Sequence, residues 1–416
     1  MARANLLVIQ LPRRGQQAQA IPATNPPRLP RSRRKRVRLN RRNPVPTKAR
    51  RPNQRLSADF AADGPQGAGA SCGFFVSIGF RCPPVAPGKP LKKSPTIAKV
   101  MRALVLDPSP VFHDDYPDPL PAAGESLIRV RMAGICGTDL ELARGYMAHR
   151  GIPGHEFVGE IVDSTSRAST GKRVVGEINA ACGHCDLCLA NLGRHCPNRT
   201  VLGILGRDGA FAEFLTLPDS NLVELPDSIP NELGVFVEPI AAAYEIFEQI
   251  HLGRNERILI LGDGRLGALV GLVLWAEGYD PVIGGHHAEK LDLLTALSLK
   301  TELEQHLQPG FDTVIDCTGD PNGLRRAIEL IRPRGRIILM STAAKPPDLN
   351  LAPIVINEIS VIGSRCGRFA PAVEALASGK VDPRPLISAM YPLADALTAL
   401  EAASDPQNLK VLLNMD

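Results

Sequence analysis

The chain has 416 residues, 44% of them hydrophobic, with nine cysteines and a formal net charge of +5. That length predicts two domains with real cores, and no apolar run reaches the ~18–20 residues that a membrane-spanning helix needs. Charge divides the chain: residues 1–100 hold 21 Lys and Arg against two acids, and residues 101–416 hold 27 against 41.

Residues 1–100 are expected to form a disordered basic leader. RSRRKRVRLNRRNPVPTKARRPNQR (31–55) is proline-punctuated and free of aromatics, so it buries too little apolar surface to offset ordering entropy. Three readings stand: upstream sequence ahead of a start at Met101, an organelle-targeting segment, or a basic tail that binds nucleic acid. A chain starting at Met101 is expected to fold and act like the whole.

From Met101 onward the elements run in a clear order. MRALVL (101–106), SLIRVRMAG (126–134), HEFVGEIV (155–162), KRVVGEIN (172–179) and AFAEFLTL (210–217) are short β-type runs bounded by Gly and Pro. Between the first strands lie GICGTDL (134–140), with Cys136 and Thr138, and PGHEFVGE (153–160), with His155 and Glu156. ACGHCDLCLANLGRHC (181–196) follows, placing Cys182, Cys185, Cys188 and Cys196 in a C-x2-C-x2-C-x7-C array. Disulfides at this spacing suit small secreted domains. Ferredoxin-type iron–sulfur runs also begin this way but close with a three-residue gap, and four thiolates suit a closed tetrahedral zinc site. Zinc and iron both stand at this point.

After residue 228 the period changes. Residues 231–250 are predicted as one helix carrying Glu238 in VFVEPIA (235–241). A thiolate from Cys136, an imidazole from His155 and a carboxylate from Glu156 or Glu238 suit a catalytic zinc that keeps an open position. RILILG (257–262) reads as a buried parallel strand, and it runs into Gly262-Asp263-Gly264-Arg265-Leu266-Gly267 and then an apolar helix. This G-x-G-x-x-G follows a strand and opens a helix, the context in which it holds a dinucleotide pyrophosphate. DTVIDCTG (312–319) and GRIILMS (335–341) continue the alternation, which predicts a doubly wound α/β domain.

In this order the motifs GICGTDL, GHEFVGEIV, the four-cysteine lobe, VEPIAAA and LGDGRLG resemble those of zinc-dependent medium-chain dehydrogenases. The resemblance spans residues 101–416 and is nearest to the polyol, threonine and glucose dehydrogenase branch. It implies an α/β protein with a GroES-like β-rich catalytic domain (101–238), a Rossmann NAD(P)-binding domain (239–365) and a C-terminal return to the first domain (366–416). It implies that Cys182, Cys185, Cys188 and Cys196 hold a structural zinc. Cys136 and His155 would be firm ligands of a catalytic zinc, with Glu156 or Glu238 also able to approach it. Thr138 matches the hydroxyl that takes the alcohol proton. Where the family often carries the relay histidine, this chain has Glu141, which reads either as a carboxylate base or as a surface residue.

The cofactor is expected to be NADP or NAD, with NADP favoured. NAD-preferring Rossmann domains carry an acid at the end of the second strand, about 20 positions past the fingerprint. Here PVIGGHHAEK (281–290) has Gly284 and Gly285 at that point. His286, His287 and Lys290 offer donors to a 2′-phosphate, the histidines more strongly at lower pH. The expected partners are a small alcohol or carbonyl substrate and further copies of the chain, as a dimer or tetramer in the cytoplasm, with no membrane or nucleic acid. Two other functions are weighed against the dehydrogenase: a catalytically silent zinc- and nucleotide-binding protein, and a nucleic-acid binder acting through the leader.

Overall fold

A computed structural model describes residues 99–164, 170–342 and 349–415. The expected leader lies outside the described residues, apart from Lys99 and Val100. Among the described residues the first strand is Val100–Leu106, which pairs antiparallel with Pro110–Pro117.

Alternating apolar and polar residues in Glu125–Gly134 bury one face of the strand, and Ile128 and Val130 reach full burial. This strand is the spine of a sheet in the order Ile387–Pro392, Lys410–Asn414, Glu125–Gly134, Glu156–Ser164, Arg173–Gly176, Leu222–Glu224, with Phe214–Pro218 also pairing with the spine. The last strand of the chain thus returns to the first part: Leu412 sits opposite Gly134 and Leu413 opposite Ala133.

The second sheet has six parallel strands: β1 (Ile258–Leu261), β2 (Val282–Gly285), β3 (Lys300–Leu303), β4 (Phe311–Asp316), β5 (Ile331–Leu339) and β6 (Ser360–Gly363). Their order is β3-β2-β1-β4-β5-β6. All four residues of β1 are buried, as expected of a strand with a neighbour on each side and helices on both faces. The strand order reverses between β1 and β4, and ligands of such sheets bind beyond the carboxyl ends at that point. The Rossmann expectation is met.

Two expected elements are shorter than their pattern. AFAEFLTL becomes a strand only at Phe214. Its first residues instead pass behind the 153–154 turn, where Ala210 N–H donates to Gly154 O and Phe211 N–H to Pro153 O. Gly154 lies at φ +96° with Phe211 pressed against it, so a side chain there would meet the ring at 2.4 Å. The predicted helix 231–250 is two helices, Asn231–Gly234 and Val237–Gln249. Gly234 packs directly onto Val158 and Leu225, and the break after it places Glu238 in the first turn of the second helix. Among the described residues no helix is long and apolar enough to cross a membrane.

Candidate functional site

Two elements meet at the first site. Cys136 caps the helix Gly137–Ala143, while His155 directly precedes the strand Glu156–Ser164 and Glu156 opens it. One ligand atom each from Cys136, His155 and Glu156 lie within 4.8 Å of one another. Thr138 Oγ1 stands 3.9 Å from Cys136 Sγ. A thiolate, an imidazole and a carboxylate converging in this way form the donor set of a zinc with an open position, so the residues present fit the metal.

Asp139, which the sequence reading passed over, organises this cluster. It is fully buried; Oδ2 accepts the Cys136 N–H at 2.8 Å, and Oδ1 accepts the Gly154 N–H at 3.2 Å and lies 3.1 Å from His155 Nδ1. With Nδ1 engaged, His155 is left with Nε2 as its ligand atom. Burial opposes charge on His155, but the Asp139 carboxylate outweighs it and the imidazole pKa lies well above its usual value. The signal was in the sequence: Cys136-x-x-Asp139 has the spacing of a helix capping box. Asp139→Asn replaces one acceptor oxygen with a donor and cannot satisfy all three partners. Metal affinity, read by chelator competition, is expected to fall by about 10–100-fold; unchanged affinity would remove Asp139 from this role.

The two glutamates differ in their surroundings. Glu156 is buried and paired through Oε2 with the buried Lys410 Nζ, which also lies 5.5 Å from the centre of the Phe236 ring. Glu238 is not among the three clustered ligands. Burial, with the Glu156 charge adding, pushes its carboxyl up to about 7, while His155 and Lys410 pull the other way. Glu141 is not brought into the cluster at all: its carboxylate is 38% exposed and bonded to Arg144 at 2.6 Å.

The four lobe cysteines converge as their spacing predicts. Sulfur separations are 3.5 Å (Cys185–Cys188), 3.5 Å (Cys182–Cys196), 3.7 Å (Cys185–Cys196) and 3.9 Å (Cys182–Cys188). Four thiolates at about 2.3 Å from one zinc would be about 3.8 Å apart. All seven cysteines among the described residues are free. Backbone N–H groups of His184 and Cys185 bring the Cys182 thiol down to about 6, whereas desolvation pushes Cys188 up to about 12. Four crowded sulfurs thus share protons that a cation would displace.

The fingerprint forms the expected cradle. Gly262 turns at φ +110°, a side chain on Gly267 would collide with Gly262 O at 1.9 Å, and the space beside Gly264 is open. The helix Arg265–Ala276, which contains Leu266 and Gly267, starts at this turn, and the first N–H groups of a helix are donors suited to a phosphate. The cradle fits a dinucleotide. At the end of β2 the picture differs from the sequence reading. His286 is 72% exposed and lies 2.8 Å from Glu304 Oε2, and His287 is engaged by Asp263.

Comparison with known proteins agrees with this geometry. The family model described as alcohol dehydrogenase GroES-like domain matches residues 122–227, and that described as zinc-binding dehydrogenase matches residues 285–378. The 2-dehydro-3-deoxy-L-galactonate 5-dehydrogenase of Pseudoalteromonas atlantica is 30% identical over 70% of this chain and 92% of its own length. The sorbitol dehydrogenase of Halalkalibacterium halodurans is 27% identical over 75% of this chain and 99% of its own. The solved structure of an Escherichia coli CFT073 alcohol dehydrogenase complexed with NADH matches with a TM-score of 0.69 and 25% identity, over 76% of this chain and 99% of that one.

Proposed function

This chain belongs to the zinc-dependent medium-chain dehydrogenase/reductase family, and from that premise we propose how its own residues carry the activity. The protein is an oxidoreductase that transfers hydride between an alcohol or polyol, or the matching carbonyl compound, and a nicotinamide dinucleotide. The observation that carries the site assignment is the convergence of Cys136, His155 and Glu156 beside the Thr138 hydroxyl.

In this reading Cys136 and His155 hold the catalytic zinc, with Glu156 or Glu238 as the third protein ligand. Zinc, when bound, supplies the Lewis acidity that makes an alcohol proton acidic. Thr138 would accept that proton at Oγ1 while releasing its own hydroxyl proton to solvent, to which this half-buried residue is open. Asp139 fixes the imidazole, and Lys410 neutralises Glu156 so that the buried site does not carry an unpaired carboxylate. Glu141 remains the surface partner of Arg144. Cys182, Cys185, Cys188 and Cys196 hold a second, structural zinc, giving two per chain. The dinucleotide lies across Gly262, Gly264, Leu266 and Gly267.

We keep the division into a catalytic part to residue 238, a Rossmann part to 365 and a returning segment. Self-association is supported by the exposed Val361 on the edge strand β6 and by Val355 and Ile356 on the short helix before it, apolar surface that a second copy would cover. Location in the cytoplasm completes the reading. On cofactor choice it departs from the sequence expectation: the fold brings Asp263 to the position that Gly285 leaves without an acid, and NADP is no longer favoured.

Metal analysis with a screen of alcohols, polyols and sugars against both cofactors tests the proposal. The expected result is two zinc ions per chain and oxidation of at least one alcohol class. One zinc, iron in its place, or no turnover with any substrate would count against it.

A further inference from the structure

The end of β2 lacks an acid in sequence only. A Cβ built on Gly285 would lie 2.4 Å from Asp263 Oδ2 and 2.4 Å from Asp263 Cβ. The second residue of the fingerprint therefore fills the volume that an acid on the strand end would take. Register explains the approach: Leu261 of β1 pairs with Gly284 of β2, and Gly262 N–H donates to Gly284 O. Asp263 follows immediately and leans across the strand end.

Its carboxylate is tightly held. Oδ2 accepts the N–H of His286 at 2.8 Å and of His287 at 2.7 Å, His287 Nδ1 lies 3.0 Å from each oxygen, and Lys290 Nζ is 3.7 Å from Oδ1. Burial raises the carboxyl pKa, but the His287 N–H, the His287 ring and Lys290 outweigh it and the acid stays ionised.

We infer that Asp263 stands in for the missing strand-end acid and makes this chain select NAD(H) over NADP(H). The strand-end N–H groups of His286 and His287, natural donors to a 2′-phosphate, are already occupied by Asp263. A carboxylate at that point also repels a phosphate. A ribose hydroxyl is treated differently, because it donates, and a carboxylate with about four lone-pair sites keeps acceptor capacity after these bonds. The nearby cations do not offset the repulsion: His286 is paired with Glu304 and Lys290 faces Asp263 itself. The inference rests on the dehydrogenase reading for the use of the fingerprint and goes beyond it in naming the nucleotide and the residue that selects it.

Calorimetric binding of NAD+ and NADP+ to the zinc-loaded full chain reads this selection without turnover. Wild type is expected to bind NAD+ at least about tenfold more tightly than NADP+. Asp263→Ser removes the charge and frees both N–H donors, and should lower that ratio by about tenfold or more. Asp263→Asn keeps an acceptor for the two N–H groups, so it should lose the preference even where serine loosens the turn. The double variant Asp263→Gly/Gly285→Asp also removes the residue 263 Cβ that would block a side chain at 285, moves the acid onto the strand end, and should restore preference for NAD+. Tighter binding of NADP+ by wild type overturns the inference, as does an unchanged ratio in folded Asp263→Ser and Asp263→Asn. Failure of wild type to bind either nucleotide overturns the dehydrogenase reading as well.

Discussion

His155→Ala is expected to lower kcat by about a thousandfold or more while leaving the chain folded. The magnitude follows from what the residue does. Lewis-acid assistance is worth several kcal/mol of barrier, and each ~1.4 kcal/mol is tenfold in rate. The fold should survive because His155 lies in a cluster held by other contacts: Asp139 keeps its bonds to the N–H groups of Cys136 and Gly154, and the strand Glu156–Ser164 stays paired with Glu125–Gly134. Two measurements check it together, steady-state kinetics and zinc content. The catalytic zinc should be lost while the lobe zinc stays. Retention of a tenth of wild-type kcat with both zinc ions bound would overturn the assignment of His155.

Cys188→Ser should fail in the opposite way, through stability. The lobe has almost no core of its own: its helices, Asp186–Leu189 and Gly193–His195, span four and three residues, and Leu189 and Leu192 are exposed. With so little apolar surface buried, the lobe is expected to take its shape from thiolate–metal bonds, because structural zinc binding contributes folding free energy directly. The lobe is also tied to the rest of the fold, since Arg194 bonds Glu245 on the helix that carries Glu238, and Arg365 bonds the Arg194 carbonyl. Loosening it is therefore felt at the catalytic side. We expect loss of one zinc per chain and a fall in Tm of about 10 °C or more, or loss of soluble protein. Two zinc ions with unchanged Tm would show that the lobe does not depend on metal.

Much of this molecule is legible where chemistry is local. The spacing of Cys182, Cys185, Cys188 and Cys196 brings four sulfurs together within one short loop, so residue type and separation suffice. The fingerprint is likewise local, because Gly262 turns at positive φ, a side chain on Gly267 would strike the Gly262 carbonyl, and Gly264 leaves the space beside it open. Cys136 and His155 are read from their motifs, and the buried run of β1 from its unbroken apolar pattern.

What tertiary structure alone decided is the environment of each carboxylate. Glu156 and Lys410 are 254 positions apart in the chain, and no local pattern announces their pairing. Asp139 was hidden beside a more conspicuous cysteine, although its capping spacing was present. Glu141 could be read as a base or as a surface residue, and its bond to Arg144 places it with the latter. Asp263 looked like a variable position within the glycine turn, and Gly285 like a missing acid, until β1 and β2 were placed side by side. The physical reason is plainest for Glu156 and Asp263. A carboxylate's role depends on the donors, charges and solvent around it, and those are contributed by segments that only the folded chain brings together, whereas a cysteine cluster or a glycine turn carries its own partners in sequence.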